Sequence, residues 1–355
     1  MTRTETSVIH CGNIDIGGSS PVAVQSMCNT KTQDVEATAA QMRRLKDAGC
    51  DIIRVAVPDM DAAHAIAELK KRTDMPIVAD IHFDYRLALA AVEAGADKIR
   101  INPGNIGSAE RVRAVAEACR AHGVPIRIGI NTGSVEKRLL QKYGSPCAEA
   151  LVESAEYHAE LLEKCGFSDI CLSLKASSVA LTVETNRLAA KRFHYPLHLG
   201  VTEAGDAFDG AINSAVGIGT LLCEGIGSTI RVSLTDDPVE EVKTGIAILK
   251  AAGLRRQGVR IVSCPTCGRT SIDLISTAKE VKRRLAHLDR DITVAVMGCE
   301  VNGPGEAREA DYGLAGGKGR GIIFAKGEIV ARVDEEHLAD ALVELVEKGE
   351  ISTNV

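Results

Sequence analysis

A chain of 355 residues, 45% hydrophobic and 25% charged, has the balance of an ordinary soluble globular protein and room for one large domain plus a small one. A formal charge of −6, no tryptophan and 3% aromatic residues exclude a basic nucleic-acid surface and a base-stacking platform. No apolar run approaches the ~20 residues of a membrane span, no apolar signal core opens the chain, and eleven cysteines without an export signal point to a reducing, cytoplasmic setting.

The first 255 residues repeat one pattern: a short β-branched run ending in polar residues, then an Ala/Leu/Glu/Lys-rich helix. Strands are expected at 22–27, 52–57, 77–82, 98–102, 126–131, 170–175, 197–202 and 229–234. Helices follow each, the first over 34–48 with Asp34 as N-cap, the second over 60–71, the last over 239–251. Three helices close on similar signals: Asp47-Ala48-Gly49-Cys50-Asp51, Glu93-Ala94-Gly95-Ala96-Asp97 and Lys164-Cys165-Gly166-Phe167-Ser168-Asp169. Each is a glycine stop and a turn into the next strand. Eight strand–helix units in about 250 residues predict an α/β chain with an N-terminal (β/α)8 TIM barrel over residues 1–255. Cys50, Cys119, Cys165, Cys171 and Cys223 fall in apolar periodic segments and read as small buried hydrophobes.

Barrel chemistry sits at the C-terminal ends of the strands. Those ends carry Gln25, Ser26 and Asn29; Arg54; Asp80 and His82; Arg100, Asn102 and Asn105; Arg127 and Asn131; Lys175 and Ser177; His198, Thr202 and Glu203; Arg231 and Ser233. Four arginines and a lysine at one mouth of an acidic protein predict an anionic ligand, a diphosphate or several carboxylates. Some of them can instead pair structurally with Asp80 and Glu203. Asn102-Pro103-Gly104-Asn105-Ile106-Gly107 reads as a glycine-punctuated loop whose free N–H groups suit phosphate. Glu203, among cations, suits proton transfer or acts as a counter-ion. Glu136-Lys137-Arg138 with Lys142 reads as a solvated face.

The periodicity stops near residues 253–258. A small α+β domain follows over 256–355: a strand at 260–263, a helix at 273–287, a strand at 293–297, a glycine-rich stretch at 312–321, paired strands at 321–325 and 328–333 across Lys326-Gly327, and a last helix over 334–348 with Asp334 as N-cap. It carries Cys264-Pro265-Thr266-Cys267-Gly268 and, where a strand breaks into glycines, Cys299. Three cysteines on two turns suggest a soft-metal site, zinc or an iron–sulfur cluster, with a redox dithiol or plain core cysteines as further alternatives. No second paired knuckle and no histidine near Cys299 complete a structural zinc site. Three thiolates with a nearby carboxylate, Glu300 or Glu306, suit a cluster with one labile iron better.

These motifs resemble a known family. Val24-Gln25-Ser26-Met27, Lys98-Ile99-Arg100-Ile101-Asn102-Pro103-Gly104-Asn105, His198-Leu199-Gly200-Val201-Thr202-Glu203-Ala204-Gly205, Ser263-Cys264-Pro265-Thr266-Cys267-Gly268-Arg269 and Gly298-Cys299-Glu300-Val301-Asn302-Gly303-Pro304-Gly305-Glu306 look like the 4-hydroxy-3-methylbut-2-en-1-yl diphosphate synthases, iron–sulfur enzymes of non-mevalonate isoprenoid synthesis. The resemblance covers nearly the whole chain. It implies reductive ring opening and dehydroxylation of 2-C-methyl-D-erythritol 2,4-cyclodiphosphate, with two electrons from a flavodoxin or ferredoxin. It implies Cys264, Cys267, Cys299 and Glu306 as ligands of a 4Fe-4S cluster. Arg54, Arg100, Asn102, Arg127, Asn131, Lys175, His198, Arg231, Ser233 and Asn302 become substrate-binding, and Glu203 the acid/base. It further implies a homodimer in which one subunit's cluster domain caps the other's barrel. The competing readings are a barrel transferase of the pteroate-synthase kind with a zinc domain, and a non-enzymatic iron–sulfur carrier.

Overall fold

A computed structural model describes residues 2–256, 258–299 and 309–349. The chain divides into two units, Met1–Arg255 and Arg256–Val355.

After an N-terminal hairpin of β1 (Val8–Cys11) and β2 (Ile14–Gly17), the first unit alternates strands and helices. The strands are β3 (Ala23–Met27), β4 (Ile52–Ala56), β5 (Ile77–Asp80), β6 (Lys98–Ile101), β7 (Ile126–Asn131), β8 (Ile170–Lys175), β9 (His198–Leu199) and β10 (Thr229–Ile230). They pair in parallel in the order β8-β7-β6-β5-β4-β3-β10-β9. A parallel bridge between Leu172 and Leu197 closes the ring. This is the predicted (β/α)8 barrel.

Outside it lie α1 (Val35–Asp47), α2 (Met60–Lys70), α3 (Tyr85–Glu93), α4 (Pro103–Ile106), α5 (Ala109–His122), α6 (Lys137–Tyr143), α7 (Ala148–Glu163), α8 (Val179–Arg192), α9 (Ala207–Cys223) and α10 (Pro238–Ala251). In α1, Thr38, Ala39, Met42 and Leu45 form the buried stripe, and the Asp34 side chain accepts the Ala37 N–H as the cap.

The repeated glycine–aspartate signal does two jobs. Gly49 and Gly95 take φ of +93° and +90°, which stops the helix and suits glycine alone. The aspartate that follows then accepts the N–H of a residue on the neighbouring strand. Asp51 takes Val24 and Asp97 takes Ile77, each at 2.7 Å. In the second unit, Asp311 takes Thr293 at the same distance.

The N-terminal hairpin is absent from the sequence reading. Its Ile9, Cys11 and Ile16 are buried against Ala23, Ile52, Val78 and Cys171 at the N-terminal ends of the barrel strands, so it plugs the end opposite the mouth. Two strand lengths also differ: β9 and β10 leave the ladder at Leu199 and Ile230, well short of 202 and 234. The residues that follow turn toward the mouth. Cys223 is exposed and Cys165 half-buried, which corrects their reading as core; Cys50, Cys119 and Cys171 are buried as expected.

The second unit is a mixed sheet in chain order: β11 (Val259–Ser263), β12 (Ile292–Met297), β13 (Tyr312–Ala315), β14 (Arg320–Ala325) and β15 (Glu328–Asp334). The first three strands are parallel, the rest antiparallel. Helices α11 (Leu274–Leu285) and α12 (Leu338–Lys348) share one core with Val294, Val296, Leu314 and Ile323. Lys326 and Gly327 both have positive φ, as a two-residue hairpin turn requires. The last helix begins later than predicted. Asp334 ends β15 and pairs with Arg320, and a 3-10 turn over Glu335–His337 precedes α12.

Candidate active site

Side chains alternate along a strand, so every second residue near the strand ends points into the barrel. Arg127 and Asn131 on β7 and Ser173 and Lys175 on β8 do so, joined by Arg54, Arg100 and Arg231 from three other strand ends. With Asp80, His82, Gly129, Thr202 and Ser233 they line a cavity of about 180 Å³ at the C-terminal mouth.

Five cationic side chains there face two buried carboxylates. Asp80 lies 3.2 Å from Arg100 and 3.7 Å from Arg54. Glu241 on α10 lies 3.0 Å from Arg231 and accepts the Leu234 N–H and the Ser26 hydroxyl. Burial pushes Asp80 up, but Arg54, Arg100 and Arg127 outweigh it and hold the carboxyl below its ordinary range. Burial, with repulsion from its neighbours, lowers Arg54 to about 10 and Arg127 to about 9. Both guanidinium groups stay charged at neutral pH. Burial and then Arg127, Arg231 and Arg54 hold Lys175 well below the usual lysine range. Like charges a few ångströms apart in a partly buried site repel by a few kcal/mol, on the order of 332/(εr) at ε ≈ 20. A doubly charged anion returns that energy.

This has a measurable consequence. An anion raises the Lys175 pKa from its depressed value, so the complex holds more protons than the free site between the two values. Binding of sulfate, a doubly charged anion with no titration of its own near neutral pH, is therefore expected to take up protons, and its affinity to fall as pH rises through that window. Calorimetry in buffers of differing ionisation enthalpy reads the uptake directly; proton release on binding contradicts it.

Two glycines make room for the cations. A Cβ at Gly129 would lie 2.7 Å from Arg100 Nε, and one at Gly200 would lie 2.4 Å from Lys175 Nζ. Arg100 also donates to the Gly129 carbonyl at 3.2 Å.

Several predicted residues sit beside or below the cavity. Asn102 is buried, its Oδ1 accepting the Gly129 N–H at 2.9 Å, so it fixes the floor. His198 is fully buried, with Nδ1 2.7 Å from the Thr229 hydroxyl, and it does not line the cavity. Burial, then Arg127, Lys175 and Lys98, hold it well below the ordinary histidine range. Gln25 and Ser26 are likewise buried, Asn29 binds Gln41, and Ser177 is exposed. Sequence reasoning missed Glu241, one of two consecutive glutamates. Its signal was helical spacing, since Glu241 stands four residues before Gly245 and seven before Ile248 on the buried face.

Glu203, one residue beyond Thr202, is exposed and has no ion-pair partner among the described residues. The structural partner of Arg231 is Glu241. Glu203 takes φ of +54°, a left-handed conformation unusual outside glycine.

The Asn102–Gly107 stretch is a helical turn, α4, rather than an open phosphate loop. Its Gly104 N–H donates to His158 Nδ1 at 2.9 Å and its Asn105 N–H to the Asn102 carbonyl. Glu136 is also not solvated: it lies 3.0 Å from Nε2 of the buried His158. Burial pushes this carboxyl up, but contacts with His158, its own backbone N–H and Ser154 outweigh it, keeping it ionised. Arg138 and Lys142 do stand at the surface, pairing with Glu153.

In the second unit, β11 and β12 are parallel neighbours with Ser263 opposite Val296. Cys264 and Cys267 follow β11 and Cys299 follows β12, so all three thiols leave the same sheet edge. The Gly298 N–H donates to Cys264 Sγ at 3.3 Å, and the Gly298 carbonyl accepts from the Ser271 N–H and hydroxyl. A Cβ at Gly298 would lie 2.9 Å from Thr270, so glycine lets the two turns interlock. Among the described residues no three Cys, His, Asp or Glu side chains close into a metal-holding group. Glu300, Asn302 and Glu306 lie outside the described residues. The donor set itself, soft thiols with an N–H directed at sulfur, fits an iron–sulfur cluster.

Two family models match in tandem: the GcpE TIM-barrel domain over residues 6–246 and the GcpE protein C-terminal domain over residues 260–348. The 4-hydroxy-3-methylbut-2-en-1-yl diphosphate synthase (flavodoxin) of Clostridium perfringens is 58% identical over 347 residues, 98% of this chain and 99% of its own. The protein of that name from Geobacter sulfurreducens is 57% identical over 346 residues, 98% of each chain. The solved dihydropteroate synthases of Stenotrophomonas maltophilia and Coxiella burnetii both superpose with a TM-score of 0.51, at 16% and 18% identity, over 69% of this chain and 97% of theirs. That likeness is one of fold alone. Matched domain for domain and collinear with these relatives almost from end to end, the chain belongs to the GcpE family.

Proposed function

We propose that this chain carries out the reductive ring opening and dehydroxylation of 2-C-methyl-D-erythritol 2,4-cyclodiphosphate, yielding (E)-4-hydroxy-3-methylbut-2-enyl diphosphate and water. The observation that carries the reading is the cationic cavity at the mouth of a GcpE barrel. Arg54, Arg100, Arg127, Lys175 and Arg231 hold the diphosphate, and Asp80 and Glu241 keep three of these guanidinium groups aligned. Asn131 and Ser233 supply hydrogen bonds at the rim. Glu203, next in the chain to the cavity-lining Thr202, is the residue assigned to deliver the proton with which a hydroxyl leaves as water. Cys264, Cys267 and Cys299, with Glu306 as a fourth ligand and Asn302 beside them, are the residues that would hold a 4Fe-4S cluster. When bound, such a cluster supplies electrons singly and a Lewis-acidic iron. The reaction consumes two electrons, and the names of the relatives favour flavodoxin over ferredoxin as their source.

Each unit supplies one half of the chemistry, and the reading includes a homodimer in which the cluster unit of one subunit caps the barrel of its partner. Eleven free thiols suit a cytoplasmic setting, and no helix among the described residues is long and apolar enough to cross a membrane.

The test is anaerobic turnover of the cyclodiphosphate with reduced flavodoxin. Formation of the allylic diphosphate is expected, and full activity at dilutions where only monomer persists would sink the capped dimer. Tight diphosphate binding without reductive turnover would instead favour non-redox barrel chemistry.

A further inference from the structure

His158 stands on α7, on the outside of the barrel, yet is only 2% exposed. Its Nδ1 accepts the Gly104 N–H at 2.9 Å. Its Nε2 lies 3.0 Å from Glu136 Oε1, a close contact outside hydrogen-bond alignment. Gly104 belongs to the turn directly after Asn102. Glu136 follows the 3-10 turn directly after Asn131. One imidazole thus touches both loops that leave β6 and β7, the two strands that carry Arg100 and Arg127. The contact is built for this ring: a Cβ at residue 104 would lie 2.6 Å from His158 Cε1 and 3.1 Å from Tyr157 Cε1.

We propose that His158 is a positioning residue, a clamp that holds the loops after β6 and β7 in register so that the floor fixed by Asn102, and Asn131 at the mouth, stay set for the diphosphate. This rests on the anionic-ligand reading of the mouth. The chain of contacts runs from His158 to Gly104, then through Asn102 Oδ1 to the Gly129 N–H, and Gly129 carries the Arg100 guanidinium.

The experiment compares His158→Phe and His158→Gln with the wild type, using full-length protein and two readouts. The first is amide exchange of the Pro103–Ile106 turn. The second is affinity for inorganic diphosphate, with KM and kcat alongside. In His158→Phe, exchange of that turn is expected to rise about tenfold and diphosphate affinity to fall about tenfold, with kcat less affected. Glutamine, which keeps an acceptor and a donor, is expected to recover much of both. Unchanged exchange at the turn in His158→Phe would overturn the clamp. So would released exchange with wild-type diphosphate affinity, which would make the contact structural only. Should His158→Phe fail to fold, Gly104→Ala presses on the same ring and replaces it, with the same two expected changes and the same overturning results. If the wild type itself binds no diphosphate, the reading of the mouth fails, and the exchange readout still decides whether the ring holds the turn.

Discussion

Cys299→Ser is expected to abolish the proposed cluster and the reductive activity while leaving the barrel intact. The thiol leaves the same sheet edge as Cys264 and Cys267, on a turn tied to Cys264 by the Gly298 N–H. Serine preserves size but offers an alcohol where a soft thiolate is needed, and at neutral pH it does not ionise to replace it. Wild-type protein prepared without oxygen is expected to carry about four irons and four sulfides per chain with a broad visible absorption. In Cys299→Ser that content falls to a small fraction, and turnover drops by more than about 10²-fold. Diphosphate binding is expected to persist, because every cavity-lining cation belongs to Met1–Arg255. Cys223→Ser at the exposed end of α9 is the control and should keep its iron. Full iron content in Cys299→Ser would remove Cys299 from the ligand set. A colourless wild type holding one zinc would remove the redox mechanism and leave the barrel to other chemistry on an anion.

The legible parts of this chain are those specified by local chemistry. Eight β-branched runs with glycine stops announce a barrel, because one period and one turn type repeat. The turns that carry Cys264, Cys267 and Cys299 are legible because proline and glycine end the β-branched runs before them. What escaped depends on partners far along the chain. Gly104 reads as a free phosphate donor until His158, three helices later on α7, takes its N–H. Glu241 looks like any acidic residue in a helix's first turn, and only the closed ring places it against Arg231 and Ser26. His198 opens the two-residue β9 rather than closing a strand, and its ring is fully buried with Nδ1 against the Thr229 hydroxyl. The hairpin of β1 and β2 has four-residue strands with two buried positions each, a pattern too short to stand out.

Glu203→Gln is expected to lower kcat by about 10²–10⁴-fold, the range for losing one positioned proton donor, while KM for the cyclodiphosphate changes little. Glutamine fills the same space, tolerates the same backbone and keeps hydrogen bonds; it loses only the ability to ionise. Glu203→Gly separates chemistry from structure. The backbone at 203 sits at φ +54° because its flanks are pinned: Thr202 N–H to the Ala176 carbonyl, Asn213 to the Ala204 carbonyl, and Thr235 N–H to the Gly205 carbonyl. An L-residue there costs about 1–2 kcal/mol that glycine avoids, against about 0.5–1 kcal/mol of extra chain entropy that glycine loses on folding. The glycine variant should therefore be as inactive as Glu203→Gln and at least as heat-stable as the wild type. Positive φ at a residue whose side chain makes no ion pair among the described residues is what the proposed acid/base role of Glu203 would require the fold to tolerate. Wild-type kcat in Glu203→Gln would end the acid/base assignment. A large loss of thermal stability in Glu203→Gly would show that the side chain holds its own loop instead.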